Sequence, residues 1–262
     1  MKYMIFVILL CLYISCEKNE NLKIGNNEPV PLKSPEILNR LNEAYNADST
    51  EALYQILEDW HKENKPVKTE GLENDTIKNV YEVYIEFYTP FDIDRIGGSE
   101  WGNELYENVS YYVVQNRILY DFVYESLAVT IPDTVNDFRP ELSFDNGVKP
   151  LYLTENYDTA LNDFLGATYI PFGTGGIMNP ASAAEDSYER QQFINNYLLV
   201  IYGHWGGYWH LETHPEVYNI SFDENMNNAI VHFRLVYQGG EARLTKQDGK
   251  WTLVESRLTW IE

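Results

Sequence analysis

The chain has little cysteine and little positive charge. Only two of its 262 residues are cysteines, Cys11 and Cys16, and 19 lysines and arginines face 40 aspartates and glutamates. No cysteine follows Cys16, so the rest of the chain has no cysteine pair that could form a disulfide. The formal net charge of −21 repels phosphate backbones and anionic headgroups, which argues against a nucleic-acid partner.

The familiar catalytic motifs are also missing. The sequence has no Gly-x-Ser-x-Gly, no His-Glu-x-x-His and no cysteine nucleophile apart from Cys16. The loop "PFGTGGIMNPAS" contains Gly-x-Gly-Gly, which is similar to the glycine-rich loops that bind phosphate. No Lys-Ser or Lys-Thr follows these glycines, which favours a flexible linker over a phosphate site. We therefore expect no cofactor and no catalytic residue that a motif could identify, although an enzyme with a dispersed site would have the same sequence pattern.

The apolar run Tyr3–Ile14 has twelve residues, too few for a bilayer span of about twenty. Lys2 before it and Ser15 after it are typical of an export signal. The pair Ser15-Cys16 resembles the lipobox of bacterial lipoproteins. That resemblance implies that residues 1–16 are a signal peptide and that Cys16 becomes an acylated membrane anchor. An ordinary cleaved signal peptide is the alternative.

Residues 17–33 are polar and contain prolines without an apolar period, which predicts a flexible tether. The acidic residues directly after Cys16 resemble the surface-export signals in lipoproteins of the Bacteroidota. The resemblance implies an outer-membrane lipoprotein exposed at the cell surface. The tether leads to a globular region, 34–262, for which two subdomains, 34–166 and 167–262, are conceivable.

Capping and periodicity predict the elements of the first half. Helix starts at Ser34 and Asp48 indicate a helical hairpin, and Asn74-Asp75 favours a third helix over "NVYEVYIEFYTPF". The β-branched and aromatic runs "VSYYVVQN", "ILYDFVYESLAVTI" and "KPLYLT" predict strands. A further helix begins after Thr154 and ends at Gly166.

The second half is expected to be a long helix followed by strands. The capping box Ser182–Glu185 predicts a helix whose buried stripe runs from Ile194 to Tyr202. Beyond Tyr208 only strands are predicted, with hairpin turns at Gly239-Gly240 and Asp248-Gly249. The fold class is therefore α+β, with an N-terminal helical hairpin, mixed strands and helices, and a long helix packed on a C-terminal antiparallel meander.

This C-terminal part, Ser182–Glu262, resembles the NTF2-like and cystatin-like α+β folds, most specifically in "DGKWTLVESRLTWIE". The resemblance implies a curved sheet that can form a pocket. The segments "EWGNELYENVSYYVVQ" and "HWGGYWHLETHPEVYNIS" share Trp-Gly followed by Leu and a β run, so a degenerate two-unit repeat is a further hypothesis.

The stretch "GHWGGYWHLETH" holds three of the chain's five histidines. Pro215 disfavours a helix there, and in a strand His210 and His214 would lie about 13 Å apart at ~3.3 Å per residue. One zinc ion could hardly bridge that distance, so we predict a structural passage without a metal site; a half-site of His210 and Glu212 completed by another strand is the alternative. Trp205 and Trp209 are expected to cover the joint between helix and sheet.

Strand alternation in "AIVHFRLVYQ" places His232 and Arg234 on the face opposite the apolar one. They are candidate ligand-binding residues for an anionic or hydroxylated ligand, together with Trp205 and Trp209; an ordinary exposed sheet face is the alternative. The pattern favours a membrane-anchored, non-catalytic binding module for a glycan, peptide or protein. A hydrolase or isomerase with its pocket in the C-terminal sheet is the second hypothesis.

Overall fold

The computed structural model describes residues 32–123, 131–166, 186–203 and 209–261. The predicted signal peptide, the Cys16 anchor, Trp205 and the capping box at Ser182–Glu185 lie outside these residues. Helices and a mostly antiparallel sheet make up the described part, which confirms the α+β class. None of the described helices combines the length and the apolar character that crossing a bilayer requires.

The helices in chain order are α1 Ser34–Asn46, α2 Thr50–Glu63, α3 Asp75–Phe87, α4 Glu155–Leu165 and α5 Ser187–Ile194, with 3-10 turns at Thr69–Gly71, Ile93–Ile96 and Asn103–Tyr106. Of the predicted caps, Asn74 is confirmed, whereas Lys33 is the N-cap of α1 in place of Ser34 and Ser49 is the N-cap of α2 in place of Asp48. The Ser49 hydroxyl accepts from Ala52 N at 3.2 Å, and Asn74 Oδ1 accepts from Ile77 N at 3.1 Å. The predicted helical hairpin of α1 and α2 and the predicted helix α3 are therefore present.

Ten described strands form three sheets: β1 Tyr111–Gln115, β2 Arg117–Phe122, β3 Asp133–Asn136, β4 Lys149–Leu153, β5 Ile201–Tyr202, β6 Trp209–His210, β7 Glu216–Phe222, β8 Asn228–Leu235, β9 Gln238–Gln247 and β10 Lys250–Ile261. The largest sheet has the order β10-β9-β8-β7-β2-β3. Its last four strands in the sequence form the predicted antiparallel meander. Strands β1 and β4 pair in parallel, and β5 and β6 form a separate antiparallel pair.

The parallel pair β1–β4 lies between two hydrophobic cores. In β1, Tyr112 and Val114 belong to the core between α3 and the large sheet, whereas Tyr111 and Val113 belong to the core formed with α1, α2, α4 and α5. All five β1 residues are buried. A strand that is covered on both faces has an almost continuous apolar sequence, as "YYVVQ" does.

The predicted long helix is wrong beyond Ile194. Helix α5 ends there, and Ile201–Tyr202 form a strand paired with Trp209–His210. Asn195 and Asn196 follow the helix, and their side chains bond to nearby backbone at Val200 N and Phe193 O. Such bonds compete with helix continuation. Moreover, Phe193 and Ile194 pack in the second core, and the helix that covers the meander is α3.

The predicted hairpin turn at Gly239-Gly240 is also wrong. Both glycines lie inside β9, and the turn is at Val236-Tyr237, where Val236 has a φ of 56°. A Cβ at Gly239 would come within 1.8 Å of the Trp260 ring, so this glycine serves close packing and not the turn. The second predicted turn is confirmed, since Asp248 and Gly249 have φ values of 50° and 79° between β9 and β10.

Candidate functional site

A cavity of about 550 Å³ lies at the carboxyl end of the parallel strand pair. We call it the carboxyl-end cavity. Its lining comes from the last residues of β1 and β4, the first turn of α4, the end of β3, and the segment before β7: Gln115, Asn116, Arg117, Asn136, Asp137, Leu153, Glu155, Asp158 and Glu212. Residues distant in the sequence therefore meet because two parallel strands end side by side.

The buried Gln115 side chain holds this end of β1 against β7. Its Nε2 donates to the carbonyls of Val217 at 2.5 Å and Arg117 at 2.9 Å, while its Oε1 accepts from Val217 N at 2.8 Å. Both polar atoms of the amide are thus used inside the protein. Gln115 therefore fixes the rim of the cavity.

Four of the lining residues are acids, and one is basic. Asp137 pairs with Arg139 at 2.8 Å and is exposed, as Asp158 is, whereas Glu212 is half-buried. Burial, the nearby Glu216 carboxyl and, more weakly, Asp158 raise the pKa of Glu212 to about 8. At neutral pH the Glu212 carboxyl is therefore mostly protonated, and it can donate a hydrogen bond or release a proton.

The pKa of Asp158 is raised too, mainly by burial and secondarily by Glu155. The Asn162 amide opposes this shift by donating to Asp158 Oδ1 at 2.8 Å. Asp158 and Glu212 therefore both hold protons more tightly than acids in water do. Ionising these carboxyl groups in the cavity costs free energy unless a cation or a hydrogen-bond donor enters it.

Residues 211–215 bring Glu212 to the cavity through bonds to β1 and its surroundings. Thr213 N donates to Val113 O at 2.8 Å, and Val113 N donates to the Thr213 hydroxyl at 2.8 Å. Two tyrosine hydroxyls complete the attachment: Tyr88 donates to Thr213 O at 3.1 Å, and Tyr106 accepts from His214 N at 2.9 Å. Hydrogen bonds of Thr213 and His214 to β1 and to the two tyrosines thus hold segment 211–215 in position.

The predicted strand through both His210 and His214, on which the Cα separation of about 13 Å depends, is wrong. Strand β6 ends at His210, and 211–215 are not in a strand. The centroids of the two imidazole rings lie 5.6 Å apart. Burial is the main cause that lowers the pKa of His210 to about 4 and that of His214 to about 3. Arg234 contributes to both shifts, and His210 contributes to that of His214. Both rings are therefore neutral at physiological pH.

A metal centre would need at least three ligand side chains close together. Within the described ranges, no three His, Cys, Asp or Glu side chains are grouped in that way. Glu216 Oε2 lies 4.0 Å from His210 Nδ1.

The structure places the predicted site residues in different surroundings. Trp209 is buried in the second core, edge-on to Tyr202 at 4.8 Å between ring centroids. His232 lies on the outer face of the large sheet, stacked on Tyr218 at 6.0 Å and 3.7 Å from Glu241. Arg234 pairs across the strands with Glu216, and its Nε donates to Val236 O at 2.7 Å. None of these three residues lines the carboxyl-end cavity.

Sequence reasoning considered Glu212 only as an alternative metal half-site with His210, and it did not single out Asp158. A weak signal for Glu212 exists, because "HLETHPE" places an acid among apolar and histidine residues directly before an apolar strand. Asp158 has no such signal, since it follows the helix cap like any first-turn acid. Only the parallel pairing of β1 with β4 brings the two together.

Three comparisons with known proteins complete the description of the site. No family model, no curated protein and no solved structure matches this chain. The function is therefore inferred from the residues that line the carboxyl-end cavity.

Proposed function

We propose that this chain is a membrane-anchored lipoprotein of the cell envelope. It acts as a non-catalytic binding module and takes a small ligand with a protonated amine in the carboxyl-end cavity. The observation that carries this proposal is the lining, in which four acids converge with a single arginine. The cavity volume of about 550 Å³ falls within the ~300–1,000 Å³ typical of small-ligand sites.

An ammonium group satisfies the electrostatics of this cavity. When it enters, the Glu212 carboxyl gives up its proton to solvent and becomes a carboxylate paired with the cation, so one charge is neutralised and one proton is released. The asparagine amides and Arg117 in the lining offer hydrogen bonds to hydroxyl or carbonyl groups of the same ligand. The net charge of −21 draws cations toward the protein at long range.

The test is calorimetric titration of the chain without its leader with putrescine, cadaverine and ethanolamine. The uncharged diol 1,4-butanediol is the matched control for putrescine. We expect at least one amine to bind with millimolar or tighter affinity, and about one proton to be released per amine at pH 7 when buffers of different ionisation enthalpy are compared. The diol should not bind.

Glu212→Gln tests the assigned residue. This variant should bind the amine at least tenfold more weakly and release no proton, whereas Glu241→Gln on the outer sheet face should behave as the unmodified chain does. Equal binding of amine and diol, or unchanged amine binding in Glu212→Gln, would overturn the proposed ligand. A thermal melt of each variant verifies that it is folded.

A hydrolase is the second candidate function, and one observation favours it. A carboxyl with a pKa of about 8 inside a cavity is suited to general acid catalysis at neutral pH. Such catalysis usually needs a second carboxyl whose pKa is pushed the other way, but Asp158 is also raised. Binding therefore ranks first. Turnover of chromogenic glycosides or esters, lost in Glu212→Gln and falling above pH 8, would favour the hydrolase.

The lipid anchor is proposed on the leader sequence. Ser15-Cys16 after a short apolar run supports acylation of Cys16, and the acids that follow support export to the outer membrane and its outer surface. In cells fed a labelled fatty acid, Cys16→Ala should abolish incorporation, while Cys11→Ala should leave it intact. Incorporation that survives in Cys16→Ala refutes the anchor. Protease treatment of intact cells tests surface exposure.

We also propose that the meander and its covering helix form an NTF2-like or cystatin-like half. Support comes from the order β10-β9-β8-β7 and from α3 packed on its inner face. The covering helix precedes the meander by many residues and is not the one directly before it. An experimental structure tests the proposal, because a flat sheet without the curvature of those folds would contradict it.

A further inference from the structure

A second cavity lies at the opposite end of the same strand pair. It has a volume of about 310 Å³ and is lined by Tyr54 of α2, by residues at the start of β1 and by the turn before β4: Val109, Ser110, Tyr111, Asn146, Gly147, Val148 and Lys149. We call it the amino-end cavity. Tyr111 and Lys149 are partners in the first register position of the pair, and the two cavities are therefore about 13 Å apart, four residues at ~3.3 Å.

An ion pair and a phenol lie together at this end. Glu58 Oε1 accepts from Lys149 Nζ at 2.5 Å and from the Tyr111 hydroxyl at 2.6 Å. These two hydrogen bonds lower the pKa of Glu58 to about 2 against the opposing effect of burial. The carboxylate is consequently ionised at every physiological pH, and a strong acceptor and a strong donor lie side by side.

One carboxylate and two ammonium groups lie together at this end. The Glu58 carboxylate faces Lys149 and, at 3.7 Å, Lys62, within a chain whose total charge is −21. These charges partly compensate one another, so a charged ligand would meet a like charge on one of the groups. A neutral molecule with several hydroxyls can instead accept a hydrogen bond from Lys149, the member of the ion pair that lines the cavity.

Tyr54 adds an aromatic wall to these polar groups. Its ring is tilted 52° to the Tyr111 ring at 6.3 Å and 54° to the Tyr197 ring at 5.6 Å, so neighbours on both sides hold it in position. An aromatic ring held in this way offers rigid apolar surface at little cost in side-chain entropy. An apolar wall with a few placed donors and acceptors is the usual composition of a small-molecule site.

We propose that the amino-end cavity binds a single neutral sugar ring, with its apolar face against Tyr54 and its hydroxyls hydrogen-bonded to Lys149, which Glu58 holds in place from behind the lining. The volume of about 310 Å³ is at the lower limit of the usual range, which suits one ring and not a longer chain inside the cavity. The inference shares with the proposed function only the premise that the chain is a binding module, and it does not use the amine site.

The experiment is saturation-transfer NMR on the chain without its leader, with glucose, galactose, mannose and N-acetylglucosamine at millimolar concentration. At least one sugar should receive saturation, and Tyr54→Ala should weaken its binding at least tenfold. Tyr54→Phe, which keeps the ring, should retain most of the binding. Tyr188→Ala removes an exposed tyrosine of α5 and should change nothing.

Two outcomes overturn the inference: no sugar of the panel receives saturation, or the signal persists in Tyr54→Ala. Each Tyr54 variant is also titrated with putrescine, so that failure of the sugar site and failure of the amine site can be told apart. Loss of sugar binding with amine binding unchanged supports two separate sites. Loss of both in Tyr54→Ala indicates a general defect, and Lys149→Met, which removes the donor, then replaces it as the test.

Discussion

At the two ends of the parallel strand pair β1–β4, the pKa of a glutamate is shifted in opposite directions. At the amino end, Glu58 is shielded, with 13% of its side chain exposed, yet the pKa of its carboxyl is lowered to about 2. At the carboxyl end, Glu212 is shielded as well, but its pKa is raised to about 8. Burial acts in the same direction on both glutamates.

The neighbours make the difference. Lys149 and Tyr111 donate hydrogen bonds to the Glu58 carboxylate, which more than offset its loss of hydration. Glu212 has the Glu216 and Asp158 carboxyls near it, and they add to the penalty of burial. A buried acid therefore does not reveal its protonation state until its partners are known, and the same substitution at the two ends should have opposite effects.

The largest expected effect is that of Glu212→Gln at alkaline pH. The folded protein holds a proton on Glu212 that the unfolded chain releases above about pH 4.5, so wild-type stability decreases as pH rises from 4.5 to 8. Glutamine does not titrate. We expect the variant to gain on the order of 3 kcal/mol relative to wild type between pH 5 and pH 9, measured by urea unfolding.

The control for this substitution is Glu43→Gln on the exposed side of α1, which should show the same difference from wild type at both pH values. A Glu212→Gln variant that is no more stable than wild type at pH 9 would mean that Glu212 is ionised without penalty. In that case the contrast between the two ends would disappear.

Glu58→Gln should have a smaller effect of the opposite sign. It removes the charge that Lys149 and Tyr111 stabilise and leaves the Lys149 ammonium without its carboxylate partner at 2.5 Å. We expect a loss of about 2 kcal/mol in the free energy of unfolding at pH 7, because Lys149 is partly hydrated and the pair is only half-buried. The loss should shrink as pH falls from 4.5 toward 2, where wild type loses the same contribution. Equal stability of variant and wild type at pH 7 would show that the pair contributes nothing.

Local signals were enough to predict much of the fold. The caps at Ser49 and Asn74 and the apolar stripe of α3 lie within one helix each, and Asp248-Gly249 sets a turn between adjacent strands. Interactions that are distant in sequence account for the errors. Gly239 faces Trp260 from the next strand, and Ile201–Tyr202 pair with β6 instead of extending α5.

The site depends on distant interactions even more. Glu212 and Asp158 line the same cavity because β1 and β4 are parallel. Glu58 lies in α2 and contacts Lys149 of β4. Nothing in the spacing of these residues predicts either pairing. His232 and Arg234 could be placed correctly on the less apolar face of β8 by alternation alone, but alternation does not say what covers that face.

An effect no larger than that of Glu58→Gln is expected from His214→Leu, in the segment that carries Glu212. His214 is fully buried, and burial together with His210 and Arg234 lowers its pKa to about 3. In the unfolded chain His214 takes up a proton near pH 6.5, whereas in the folded protein it stays neutral until the pH approaches 3. The wild type therefore loses stability as pH falls below 6.5. Leucine has no proton to take up. We expect His214→Leu to gain about 2 kcal/mol relative to wild type between pH 7 and pH 5.

The control is His232→Gln, at a partly exposed histidine on the outer sheet face, which should not reproduce the gain of His214→Leu. His214→Leu and Glu212→Gln, two residues apart, should thus change stability at opposite ends of the pH range, the first below pH 6.5 and the second above pH 4.5 with its full effect above pH 8. An acid slope in His214→Leu equal to that of wild type would show that His214 is not the group that resists protonation, and would assign the acid sensitivity to His210, whose pKa is lowered to about 4.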